Sequence, residues 1–442
     1  MRQTLVTTLL LVAASVRPGT AQQLSLQQAV DRALARNPGI VAAAASVEEA
    51  SGRVGQARSG YLPRVDLVES WHRGNQPVYA FGSLLNQRRF TEAEFAIDTL
   101  NHPDAITDHR AGIAVQQTLF DGLRTRSSVR AARIGREMAE AGVSRARSGI
   151  VLAVTETYGS VLLAAAGRRA AQAAVAAAEE DLRLAEHRRD AGIGAEADVL
   201  SLRVHLAEMR ERQIRMASDE QVGLAALNRL MGDPLDTQHE LVEVEPLANG
   251  TDAAADAASF EQQALRDRPE AKQSALAVAL AEAEKQGAVS ALIPVVALQG
   301  IYEFSGSRFD SRTSSWTIGA EARWSVFSGG ANIARLREAS AAKKRAEAER
   351  VDAEAGIRLE VRSAAARAAA ARARAEVGQA AVAQAQESQR MIRDRYDAGM
   401  ASVNDVLRAA RALLDAEALR TGALVDVLVS TAALQKAIGV SR

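Results

Sequence analysis

The 442-residue chain carries 54 Lys plus Arg against 54 Asp plus Glu, so no overall charge draws it to nucleic acid or acidic lipid. It has no cysteine, which excludes disulfides, thiolate metal sites, cysteine nucleophiles and a lipid-bearing N-terminal cysteine together. Any membrane attachment has to come from the fold itself.

Arg2, the mostly apolar run Leu5 to Val16 and the small residues Gly19-Thr20-Ala21 have the layout of an export signal. Residues 1–21 are therefore expected to be removed, leaving Gln22 first. No later stretch holds the ~20 continuous apolar residues of a spanning helix. An exported chain of this kind can enter a membrane only without transmembrane helices.

The rest of the sequence repeats itself once. Asn37-Pro38 and Tyr61-Leu62-Pro63 answer to Arg268-Pro269 and Leu292-Ile293-Pro294, with a Pro-to-Pro spacing of 25 in both halves. Leu119-Phe120-Asp121-Gly122 answers to Val326-Phe327-Ser328-Gly329, and the phenylalanine lies 72 positions before Gly192 or Gly399 in each case. Asp198-Val199-Leu200 and Asp405-Val406-Leu407 follow those glycines at the same distance. One insertion of 24 residues between Pro63 and Phe120 accounts for the only change of offset. This is a duplicated unit.

In chain order, the first repeat occupies 22–232. Its strands are expected at about 62–73 and 110–120, and its helices at about 124–190 and 195–230. Residues 233–259 form a linker. The second repeat, 260–442, has strands at about 294–304 and 314–327 and helices at about 332–397 and 402–438. The segments 124–190 and 332–397 are Ala-, Arg- and Glu-rich without proline, which favours helix throughout. At ~1.5 Å per residue each is about 100 Å long, and such lengths imply coiled-coil-like packing. Val199, Leu202, Leu206 and Met209 have the spacing of a narrow seam. Gly192 and Gly399 mark reversals, since glycine accepts the left-handed helix terminus. Asp198 and Asp405 start the returning helices, where a negative charge suits the dipole.

The strands alternate. Trp316, Ile318, Ala320, Ala322, Trp324 and Val326 share one parity, as do Val296, Leu298, Gly300, Tyr302 and Phe304. The repeat offset maps Tyr302 onto Trp71, Val296 and Leu298 onto Val65 and Leu67, and Ala320, Ala322 and Val326 onto Ile113, Val115 and Leu119. Glu69 and Gln117 are exceptions on that face. Alternation with aromatic ends is the pattern of a barrel strand with lipid outside and water inside. The candidate lipid-facing residues are Trp71, Leu298, Tyr302, Trp316, Ile318 and Trp324. Four strands cannot close a barrel, and an open edge cannot face lipid. Several chains must share one barrel: two would give eight strands, three would give twelve.

With these landmarks, the chain resembles the TolC-like outer-membrane efflux protein family from about residue 24 to 439. The resemblance rests on the Leu26-to-Ile40 opening with Ala33 and Asn37-Pro38, on Tyr61-Leu62-Pro63, on Leu119-Phe120-Asp121-Gly122, and on the paired Gly…Asp-Val-Leu tips. It implies a mainly α fold with a transmembrane β-barrel, built from a duplicated helix-strand-strand-long helix-helix unit. A homotrimer would form a 12-stranded barrel and an α-helical periplasmic tunnel. It further implies an exit duct in the outer membrane of a Gram-negative bacterium, for tripartite efflux or type I secretion. Its partners would be a periplasmic adaptor and an inner-membrane transporter.

The hairpin tips at Gly192, Ile193, Gly399 and Met400 are the candidate adaptor-docking points. The resemblance also places a gate at those tips. Asp405 matches an acidic position of the family's constriction, Tyr396 the tyrosine three residues before the tip glycine, and Asp198 its facing partner. Arg408 and Ala401 depart from the family pattern, and Arg408 is placed to pair with Asp405. The competing role for Asp198 and Asp405 is helix capping. None of the six histidines has metalloenzyme spacing, no phosphate loop or nucleophile elbow occurs, and neither metal, cofactor nor enzymatic activity is expected. The 24-residue excess, which holds His102 and His109, is expected to be a polar extracellular loop. The rival reading is a soluble periplasmic coiled-coil adaptor, which accounts for the helices but not for the duplicated amphipathic strands.

Overall fold

A computed structural model of the protein describes residues 22–243 and 257–440. The expected signal segment and part of the linker lie outside the described residues. The chain divides into two compact units, one formed by 42–145 and 262–359, the other by the remaining segments.

The sequence duplication reappears as matched elements. In the first repeat, β1 (Gln22–Leu24) and α1 (Leu26–Arg36) lead to α2 (Pro38–Arg58) and β2 (Arg64–Gly74). The helices α3 (Pro77–Asn86) and α4 (Ile97–Asn101) precede β3 (Ile106–Phe120), and α5 (Arg124–Asp190) and α6 (Glu196–Met231) follow it. After β4 (His239–Leu241), the second repeat contains α7 (Ala257–Asp267), α8 (Pro269–Ser290), β5 (Val295–Arg308) and β6 (Ser311–Arg323). It ends with α9 (Ala331–Asp397) and α10 (Val403–Ala437). Helices α5 and α9 are each 67 residues long. Pro38 and Pro269 open α2 and α8, where a missing N–H costs nothing.

In the unit that contains both termini of the described chain, β1 pairs in parallel with β4. Leu24, Ala29 and Ala33 are fully buried there against Val154 and Tyr158 of α5 and Leu227 and Met231 of α6. The Tyr158 hydroxyl lies 2.8 Å from Leu24 O and 2.7 Å from Val242 O, its one hydrogen shared between them. Burial pushes its pKa to about 12. Although it holds no continuous apolar run of spanning length, helix α5 is long and apolar enough to cross a membrane by length and composition alone; Ile150, Val151, Val154, Tyr158 and Leu162 of that helix pack into this core. Val199, Leu202, Leu206 and Met209 are buried along α6, with the spacing expected of a seam.

In the other unit, β2, β3, β5 and β6 form one antiparallel sheet in that order. Helix α8 is held beside α5 by Gln273, which donates to Met138 O at 3.2 Å, and beside α9 by Lys343–Glu282 at 2.9 Å. Asp121 accepts from the Thr125 amide (2.7 Å) and hydroxyl (2.6 Å), capping α5. Gly122 and Leu123 at this corner both have positive φ, as do Gly329 and Gly330 in the second repeat.

Three local expectations change. Strand β6 ends at Arg323, so Trp324 lies beyond the sheet and donates to Leu292 O at 3.1 Å. A bulge between Thr118 and Phe120 puts Phe120, not Leu119, opposite Val296, because the extra residue resets the side-chain alternation. The 24-residue excess, expected as a polar loop, contains α3, a 3₁₀ turn at Glu92–Phe95 and α4, with Phe90 packed edge-on against both Phe81 and Phe95.

Candidate functional site

Directly opposed residues of an antiparallel sheet share a face, so the register assigns sides across all four strands. Trp71 opposes His109, Ile113 opposes Tyr302, and Tyr302 opposes Trp316. Gln117 opposes Leu298, and Ile318 opposes Gly300. Trp71, Leu298, Tyr302, Trp316 and Ile318 therefore lie on one face together with Val65, Leu67 and Val115. This face is exposed: Leu67 keeps 82% and Trp316 69% of its surface. Both polar exceptions are satisfied locally. Glu69 accepts from Arg312 at 2.6 and 3.2 Å, and Gln117 donates to Thr118 O at 2.8 Å and Tyr61 O at 3.3 Å.

The opposite face is polar. Arg110 pairs with Asp108 at 3.0 Å and lies 3.8 Å from Glu303, and Gln299 donates to Glu321 at 3.3 Å. Helix α3 lies on this face. Gln87, just after it, donates to Asp108 at 3.1 Å and to Thr107 O at 2.9 Å, and Thr313 donates to Asn86 O at 2.6 Å. Asp108 and Ser305 are almost completely buried beneath it. Sequence reading missed this cover because its contacts join residues 20 to 227 positions apart.

At the hairpin tips, Gly192 and Gly399 have φ of +74° and +76°. Ile193 donates to Arg188 O at 3.0 Å, and Met400 to Arg395 O at 2.8 Å. Both are Schellman closures with Ile193 and Met400 left projecting and exposed. The two acidic candidates differ. Asp405 completes a capping box with Ser402, accepting from its hydroxyl at 2.7 Å and its amide at 3.0 Å, and also pairs with Arg408. These hydrogen bonds from Ser402 and then the Arg408 guanidinium hold its pKa down to about 2. Capping is thus a concrete role for Asp405. The repeat places Ala195 where Ser402 stands, so Asp198 lacks that side-chain partner.

Tyr396 is tied across hairpins instead. Its ring packs against Ala185, Val199, Leu202 and Val403, and the Arg188 guanidinium sits 4.7 Å from its centre. Arg188 also pairs with Asp397 at 3.3 Å, and Arg393 with Asp181 at 2.5 Å. The α5 and α9 tips are thereby joined by two ion pairs and one cation–π contact. Sequence reading found Tyr396 but not Arg188, Asp397, Asp181 or Arg393. Their partners are about 210 positions apart, and no local spacing announces them.

A sheet with one exposed apolar face and, among the described residues, two unpaired edges, joined to 67-residue helices, fits a membrane-channel subunit. The family model described as outer membrane efflux protein matches residues 29–233 and 261–440, and the chain belongs to that family. It is an outer-membrane exit duct with periplasmic helices. Among solved structures it is similar to the CmeC outer membrane channel of Campylobacter jejuni, with a TM-score of 0.80, 20% identity and 94% of this chain and 86% of that one covered. It is also similar to the outer membrane protein VceC of Vibrio cholerae, with a TM-score of 0.78, 20% identity and coverage of 94% and 96%. The proteases secretion protein PrtF of Dickeya chrysanthemi is 23% identical over 353 residues, 77% of this chain and 72% of that one.

Proposed function

We propose that three copies of this chain close a 12-stranded barrel and a helical tunnel, forming a passive conduit rather than an enzyme. An inner-membrane transporter and a periplasmic adaptor serve it, the adaptor engaging the tips around Ile193 and Met400. The observation that carries this reading is the open sheet. Among the described residues, strands β2 and β6 have unpaired outer edges, and the exposed apolar face belongs in lipid, where unpaired backbone groups are prohibitively costly. Only partner strands resolve that conflict. The similarity to a protease secretion protein keeps type I secretion beside small-molecule efflux as the service performed.

The gate in this reading is the tip cluster of Tyr396, Arg188, Asp397, Arg393 and Asp181, with Asp405, Arg408 and Asp198 beside it. Trp71, Leu298, Tyr302, Trp316 and Ile318 face lipid, and Trp324 marks the foot of the barrel. Fractionation followed by bilayer recording tests the proposal. A detergent-requiring oligomer that conducts is expected. Release by carbonate as a soluble monomer would overturn it in favour of a periplasmic adaptor.

A further inference from the structure

The charge of this chain balances only in total. Residues 122–136, which follow β3 into α5, and 322–337, which run from the end of β6 into α9, contain no Asp or Glu. They do contain Arg124, Arg126, Arg130, Arg133, Arg335 and Arg337, all exposed and none in an ion pair among the described residues. Acidic partners begin only outside these segments: Arg136 reaches Glu140 at 3.3 Å, and Arg323 reaches back to Glu321 at 2.6 Å. On α5, Arg126, Arg130 and Arg133 recur at helical spacing and share one face. Arg130 and Arg337 are equivalent positions of the two repeats.

Immediately before these arginines lies an exposed apolar band. Leu119, Phe120 and Leu123 precede the first group, and Trp324, Val326 and Phe327 the second; Phe327 keeps 87% of its surface. An aromatic and aliphatic band next to unpaired guanidinium groups is the layered chemistry of a membrane interface, with acyl chains on one side and phosphates on the other. Like charges one turn apart disfavour the helix that carries them. Such a cluster is stabilised by counter-charge brought to it from outside these segments. Guanidinium forks match phosphate oxygens in geometry as well as sign.

We propose that this collar docks anionic phospholipid headgroups of the leaflet facing the periplasm. The inference rests on the barrel reading above, since it takes the strands to stand in the membrane. The collar fixes the depth of the chain: the sheet and its apolar band lie in hydrocarbon, and the first three turns of α5 and first two of α9 lie among phosphates. Each basic residue near an anionic surface strengthens attraction about fivefold. Three lost together cut the lipid preference by roughly two orders of magnitude if their contributions are independent.

The test uses the full-length oligomer in nanodiscs of phosphatidylethanolamine alone or mixed 3:1 with phosphatidylglycerol. Lipids retained after gentle extraction are counted by native mass spectrometry, and single-channel conductance is recorded in the same mixtures. Wild type is expected to retain phosphatidylglycerol and to melt higher in its presence. R126Q/R130Q/R133Q is expected to lose both effects while conducting normally. R126K/R130K/R133K, which keeps the charge, is expected to retain most of the preference and guards against a folding defect in the first variant. Equal phosphatidylglycerol retention by wild type and the Gln variant would overturn the proposal. So would an altered ion selectivity with unchanged lipid retention, which would place the arginines in the lumen. Failure of wild type to conduct in any bilayer would instead overturn the channel reading on which the proposal rests.

Discussion

Replacing both Arg188 and Arg393 by Ala removes the two ion pairs and the cation–π contact that join the α5 and α9 tips among the described residues. The two pairs are partly solvated, with side-chain exposures of 27% and 56% for Arg188 and Asp397 and 46% and 26% for Arg393 and Asp181. Solvent screening therefore limits each to about 0.2–1 kcal/mol, and the guanidinium over Tyr396 adds about 0.5–1 kcal/mol. Together they favour the joined tips by roughly 1.5 kcal/mol per chain, about tenfold in the equilibrium. If three chains open in concert, the closed state loses roughly a thousandfold preference. Planar-bilayer recording of the purified oligomer should then show open time rising from rare events to a dominant state. The outer membrane should also admit bulky antibiotics that wild-type cells exclude. An intact oligomer whose open probability matches wild type would refute this account of the gate and return attention to Asp198 and Asp405.

The Asp405 capping box makes a pH prediction of defined sign. Its folded pKa, about 2, lies below the unbound value of 3.8. Its stabilising interactions are therefore complete above about pH 4 and are lost as pH falls towards 2. Conductance differences between wild type and Asp405→Ala should stay constant from pH 7 to pH 4; a crossover near pH 5–6 would show that another group controls the tip. Tyr158→Phe removes the hydroxyl that bridges Leu24 O and Val242 O, and should cost about 1 kcal/mol, read as a lower melting temperature with conductance unchanged. Gly122→Ala places a Cβ 2.8 Å from Ser290 O at a φ of +66°, so a loss of more than about 1 kcal/mol is expected; a neutral result would mean that the corner relaxes freely. Replacing 77–101 with a short Gly-Ser linker uncovers the polar face above Asp108 and Arg110. Larger single-channel conductance should follow, and an unchanged value would show that α3 does not restrict the lumen.

Much of this protein could be read along the chain because its signals are local. The duplication, the 67-residue helices and the glycine tips need only composition, spacing and left-handed backbone conformation. The parity that gathers Trp71, Tyr302 and Trp316 on one face follows from two-residue alternation within each strand. The register of the sheet was then needed to show that four separate stripes join into one surface, and that a bulge gives Phe120 the place alternation assigned to Leu119. Asp405 illustrates the limit of motif matching. Its position was legible, but whether its carboxylate faces a neighbouring helix or its own helix terminus depended on Ser402 and Arg408 closing around it.

The sequence by itself determined the repeat, the element types and the amphipathic sides, all set by interactions within a few residues. Only the tertiary structure decided that Arg188 and Arg393 reach across to a second hairpin, that α3 covers the polar face, and that the apolar stretch of α5 packs into a core. Each of those choices depends on which surface meets a segment 20 to more than 200 residues away. That meeting is governed by burial and charge pairing summed over the whole chain, and no local pattern records it.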